Sequence, residues 1–165
     1  MGRVIGGFEY RSGPFETYLS TISSTATFRR NNPLTLSDDR TLIEAASDTT
    51  AFVGIALSNA ADSLSGSLSG RALVLKLLPG QVFETTVQTG VASSALSAGQ
   101  SYNLEKSGNF LRIDPDSQAS PRVTIVPYAD GSTVDSANSS VQVSFLLDFV
   151  APFVSTASIG IFAQD

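Results

Sequence analysis

The chain is 165 residues long, the size of one compact domain, and its lack of His and Cys rules out Ser-His-Asp triads, thiol nucleophiles, disulfides and Cys/His metal centres. Charged residues are 15% of the chain and sum to a net charge of -5, so no basic face is expected for a phosphate backbone and nucleic acid is not an expected partner. A hydrophobic content of 42% is too high for a disordered tail, yet no window reaches the roughly 18 apolar residues of a membrane helix, which leaves a folded, weakly charged protein with no expected membrane contact.

Met1 to Pro14 carries Arg3, Glu9 and Arg11 among glycines and has no apolar stretch of signal-peptide length, so synthesis and retention in a cytoplasm are expected. Phe8, Tyr10, Phe15 and Tyr18 then sit in a segment broken by Gly6, Gly7, Gly13 and Pro14, with large anchors and no regular periodicity. Two readings are open for residues 1–24: a strand or loop folding back on its own domain, or an N-terminal arm whose aromatics dock on another subunit. Residues 25–165 read as a single β-rich domain. Strands are expected over Thr25 to Arg30, Leu34 to Leu36, Thr41 to Ala46 and Ala51 to Leu57. A short helix starting at Ser37 as N-cap, with Asp38 and Asp39 in its first turn, is the alternative to the third of these.

Arg71 to Leu78 is apolar on both faces, as expected of a strand covered on both sides. Val82 to Gln88 and Arg122 to Val126 are β-branched runs bounded by Pro or Gly, and Tyr102 to Leu104 and Phe110 to Asp114 are shorter candidates. The clearest alternation lies at Val141, Val143, Phe145, Leu147 and Phe149, with Gln142, Ser144 and Asp148 between them, the pattern of a half-buried strand. Residues 151–162 form an apolar C-terminal segment that something is expected to cover. Turn residues recur about every eight to twelve positions, as in antiparallel sandwiches and barrels. The expected class is all-β, an antiparallel β-sandwich or β-barrel with an extended N-terminal arm and at most one short helix.

Candidate chemistry is thin. Asp38 with Asp39, Asp114 with Asp116, and Asp130 with Asp135 could pair as acid and base, but each lies beside Ser, Pro or Gly, where aspartates ordinarily close turns. No phosphate-binding glycine motif or calcium loop is spelled out. Neither catalysis nor a cofactor is expected. Arg29 and Arg30, the one adjacent basic pair, either meet acidic groups on a partner or are solvated.

From Phe28 to Phe149 the arrangement resembles a tailed-bacteriophage capsid decoration, or cement, protein. The resemblance lies in Phe28 to Leu36, Ala51 to Leu57, a Gly-containing loop before Ala72 to Leu78, Gln81 to Gly90, Leu96 to Leu104 and the late strand Val141 to Phe149. It implies a small β-rich protein on the outside of a virion, bound to the major capsid protein and self-associated, as a trimer in preference to a dimer. On this reading the partner-binding residues are Phe8, Tyr10, Phe15, Tyr18, Arg29 and Arg30. The alternative is a carbohydrate-binding or adhesin-like β-sandwich of fibre or receptor-binding type, against which stand the absence of Trp and the presence of only 4 Tyr. A hydrolase using two aspartates ranks third.

Overall fold

The computed structural model describes residues 6–61, 70–87, 96–135 and 140–150, apart from the Leu147 side chain. Two antiparallel sheets carry the fold. The first runs β1 (Glu9–Ser12), β7 (Val82–Thr86), β12 (Ser140–Phe145), β10 (Val123–Val126), β8 (Ser101–Ser107), β9 (Phe110–Asp114), and β11 (Val134–Asp135) also pairs with β12. The second runs β2 (Thr17–Thr21), β6 (Arg71–Leu75), β5 (Gly54–Ala56), β3 (Pro33–Leu36), β4 (Leu42–Glu44). Single bridges at Val87–Ile113 and Ile22–Leu42 touch strand to strand at one point each. They do not extend into ladders, so the sheets form a sandwich and no closed barrel.

Alternation along the strands decides which core each residue enters. Ile55 and Leu75 face the main core between the sheets, with Phe8, Phe52, Phe83, Ile113, Val141, Val143 and Phe145. Their neighbours Ala56 and Val74 face a second, smaller core with Phe28, Leu34, Leu42 and Ala72. β5 and the Val74–Leu75 end of β6 are thus buried on both faces, whereas Leu73 is 37% exposed, so the expected covering of both faces of β6 holds only at that end of the strand. In the main core Phe145 is the hub: its ring meets Phe8, Phe52 and Phe83 edge-on at centroid distances of 5.1, 5.7 and 5.6 Å, the arrangement aromatic quadrupoles favour.

The alternation expected to run to Phe149 ends at Phe145. The Leu146 N–H still reaches the Arg122 carbonyl at 2.9 Å, but the Arg122 N–H is already given to Tyr102, and Pro121 has none to give. The ladder stops, and Leu147–Phe149 turns into a 3-10 helix. Phe149 packs against the core instead of pointing along a strand, with the Arg122 guanidinium 3.9 Å from its ring centroid. Residues 151–162, the expected apolar terminus, lie outside the described residues.

Two further expectations are corrected. Thr25 to Arg30 is not a strand: the Thr27 N–H and hydroxyl both go to the Glu44 carboxylate, at 3.2 and 2.8 Å, and Phe28 plugs the second core from a loop. Ser37 does not begin a helix. Its N–H donates to the Thr41 carbonyl at 2.9 Å and its carbonyl accepts from Arg40, closing a turn in which Arg40 takes a left-handed φ of 64°, and the chain returns as β4.

Gly54 sits where a side chain has no room. A Cβ there would lie 2.4 Å from the Leu75 carbonyl oxygen and 2.4 Å from a Val74 methyl carbon. Gly54→Ala is expected to push β5 off β6 and to lower stability by about 1–3 kcal/mol, an overpacking cost, read as a lower urea midpoint at unchanged m-value.

Candidate functional site

Within the expected arm, Glu9–Ser12 and Thr17–Thr21 do not stand apart; they are strands β1 and β2 of the two sheets. β1 pairs with β7 and β2 with β6. The Phe8 N–H donates to Asn31 at 2.8 Å, and the buried Thr85 hydroxyl donates to the Gly7 carbonyl at 2.7 Å. The physical reason is Phe8 itself: it is 0% exposed in the main core, and withdrawing such a ring would leave a cavity. Phe8 therefore presents nothing to a partner here.

The other expected anchors divide. Tyr18 is half-buried against the second core and donates its hydroxyl to the Val53 carbonyl at 3.0 Å; burial pushes its pKa up to about 12. Tyr10 packs edge-on between Phe83 and Phe15, at 6.2 and 5.0 Å, and its hydroxyl donates to the Gly13 carbonyl. Phe15 is the presented one, 55% exposed. Arg29 and Arg30 are both exposed, in a turn and not on a strand, and among the described residues neither forms an ion pair.

Two exposed residues were not singled out by sequence. Leu19 and Leu73 are direct cross-strand partners on β2 and β6, and 39% and 37% of their surface meets water. Leu19 belonged to a segment without evident periodicity, and Leu73 to a run that reads as covered on both faces.

A polar cluster on the first sheet was also missed. Glu84 on β7 lies directly opposite Glu9 on β1, a like-charge pairing that disfavours the ladder. Arg11 offsets it. Its guanidinium reaches the Glu84 carboxylate at 2.8 and 2.5 Å and Glu9 at 3.0 Å. The other Glu84 oxygen accepts from the Tyr128 hydroxyl at 2.7 Å and the Ser140 hydroxyl at 2.8 Å. Burial works to raise the Glu84 pKa, but the hydrogen bonds from Tyr128, Arg11 and Ser140 outweigh it and hold the carboxyl below its ordinary value. Burial, with the neighbouring Glu84 charge, pushes the Tyr128 phenol up.

Beside this cluster Tyr128, Asp130, Ser132, Val134 and Asp135 line an open concavity of about 360 Å³. Asp130 closes its own turn, accepting from the Ser132 N–H at 2.9 Å and hydroxyl at 2.6 Å. Asp39 likewise accepts from the Thr41 hydroxyl at 2.6 Å, and Asp114 from the Asp116 N–H at 3.0 Å. One aspartate of each candidate acid–base pair, Asp39, Asp114 and Asp130, is thus engaged in a local turn. Among the described residues no three acidic side chains gather as a metal site, and no helix is long and apolar enough to cross a membrane. No family model matches the chain, and no curated protein or solved structure matches it either.

Proposed function

We propose that this chain is a structural virion protein that binds the outer surface of an icosahedral phage capsid and cements neighbouring capsomers. The observation that carries the reading is Phe15, an exposed aromatic held by an edge-on contact with Tyr10. A ring fixed in this way loses little freedom on docking, and such rings are the residues interfaces use as anchors. Arg29 and Arg30 supply an exposed cationic pair, suited to an acidic patch of the major capsid protein. Repeated copies on a symmetric lattice turn weak individual contacts into firm attachment. The role demands adhesion and no chemistry.

The test is addition of the purified protein to undecorated expanded shells, with occupancy read by cosedimentation and electron microscopy. Density on the shell exterior is expected. Phe15→Ala is expected to weaken binding by ~30-fold, the effect of losing an anchor worth about 2 kcal/mol, with an unchanged circular dichroism spectrum. Absence of the chain from the shell exterior would remove the reading.

The concavity at Tyr128, Asp130 and Asp135 favours a second reading, a carbohydrate-binding or adhesin-like module, because one aromatic face beside carboxylates suits a sugar ring. A glycan array answered by the wild type and not by Tyr128→Ala would support it over the first.

A further inference from the structure

We propose that the concavity at Tyr128 selects sugars by charge, taking neutral and amino sugars and refusing those that carry a carboxylate. The proposal rests on the carbohydrate reading and names the ligand class of that site. It begins with the polar groups that the protein already holds. The Tyr128 hydroxyl meets Glu84 at 2.7 Å and Ser140 at 3.0 Å, so it is engaged within the chain and is not the group that receives a ligand. With its hydroxyl anchored, the ring offers a fixed apolar surface to the concavity it lines with Val134. A sugar ring laid against such a surface covers its C–H groups at little ordering cost to the protein.

Asp130 is fixed in a complementary way. Its Oδ1 accepts from both the N–H and the hydroxyl of Ser132, and among the described residues its Oδ2 accepts no hydrogen bond. The turn that carries it is closed twice, by the Gly131 N–H on the Tyr128 carbonyl at 2.8 Å and by the Tyr128 N–H on the Ser132 carbonyl at 2.9 Å. Gly131 takes a left-handed φ of 84° there, which glycine adopts without steric cost. A carboxylate with one oxygen held and the other open is a positioned acceptor for a ligand hydroxyl or ammonium, and bonds of this kind are charge-assisted.

Charge sets the selectivity. Asp130 and Asp135 both line the concavity, and its described lining residues include no Lys or Arg. Beyond the Tyr128 hydroxyl stands Glu84, which together with Glu9 outweighs the single positive charge of Arg11. The negative field is felt at Tyr128 itself: burial first, and then the charges of Glu84 and Asp135, push its phenol up. A carboxylate on a ligand would meet two negative charges in the concavity with no cation to offset them, whereas a hydroxyl or an ammonium meets acceptors. Neutral hexoses and amino sugars therefore fit this site, and uronic and sialic acids do not.

The test titrates the full-length chain with soluble oligomers of equal length built from a neutral hexose, from glucosamine and from a uronic acid. The hexose and glucosamine oligomers are expected to bind at least ~10-fold more tightly than the uronic acid oligomer, the effect of two close like charges in a partly hydrated site. The gap is expected to narrow as added salt screens those charges. Asp130→Asn keeps an amide oxygen for Ser132 and removes one charge, so it is expected to raise uronic acid binding by ~3-fold or more. Asp130 is exposed in its turn, and the circular dichroism spectrum of this variant is expected to be unchanged. A uronic acid oligomer that binds as tightly as the hexose oligomer, or no better after Asp130→Asn, would overturn the charge selection and leave the carbohydrate reading standing. Sugar binding that survives Tyr128→Ala would place the sugar elsewhere and overturn the proposal. Binding of no sugar would overturn both, as would binding of a tetralysine peptide alone, which would give the concavity to a basic peptide.

Discussion

Phe145→Ala is expected to lower the free energy of unfolding by about 3–5 kcal/mol, the range for a buried Phe. The ring sits at the junction of three others and on the strand between β7 and β10. Its removal forfeits its own transfer free energy, leaves a cavity walled by Phe8, Phe52 and Phe83, and removes three edge-on aromatic contacts. Those walls belong to the segment before β1, to the approach to β5 and to β7, so no single local shift can collapse onto the gap. In a chain of this length such a loss corresponds to a fall of roughly 10–15 °C in Tm. A loss below about 1 kcal/mol would show that the core is not organised around this ring. Phe15→Ala, exposed at the surface, is the internal contrast and should leave Tm within about 2 °C.

Acidification is the second large effect. Glu84 is held below its ordinary value of 4.5 in the folded chain, so the folded state gives up this proton more readily than the unfolded state does. Its contribution to stability is fully present above pH 4.5 or so and is lost as pH falls through the folded-state pKa. Glu44, Asp39 and Asp130 are shifted the same way, so the chain as a whole should weaken on acidification. Asp39 and Asp130 are fully exposed and are expected to matter little. Glu84→Gln is expected to cost about 2–3 kcal/mol at pH 7, because Arg11 loses its buried anionic partner. It should also reduce the drop in unfolding free energy between pH 7 and pH 3. Urea unfolding of both proteins at the two pH values makes the comparison. An acid-induced loss of the same size in the variant would show that Glu84 is not the group being titrated. Since Arg11 lies on β1, the same substitution should increase hydrogen exchange along Glu9–Ser12 ahead of the rest of the sheet.

The β class was legible in the sequence because side-chain alternation is local. Val141, Val143 and Phe145 point one way in the chain and are all buried in the fold. The turns were legible for the same reason: Asp39, Asp114 and Asp130 close turns with residues no more than two positions away. What a segment packs against is not a local property. Leu73 and Val74 are neighbours of similar hydropathy, yet Val74 is 0% exposed and Leu73 37%, because the one faces the second core and the other lies beside the sheet's edge. Aromatic content alone marks residues 1–24 as an arm, and only the fold provides the place in the main core that Phe8 fills. Arg11 and Glu84 are 73 positions apart, and no spacing rule joins them; the register of β1 on β7 does. Hydropathy in this chain determined which residues leave water. Tertiary structure decided which surface each one leaves it for, since burial depends on the neighbouring strand and only strand order supplies that neighbour.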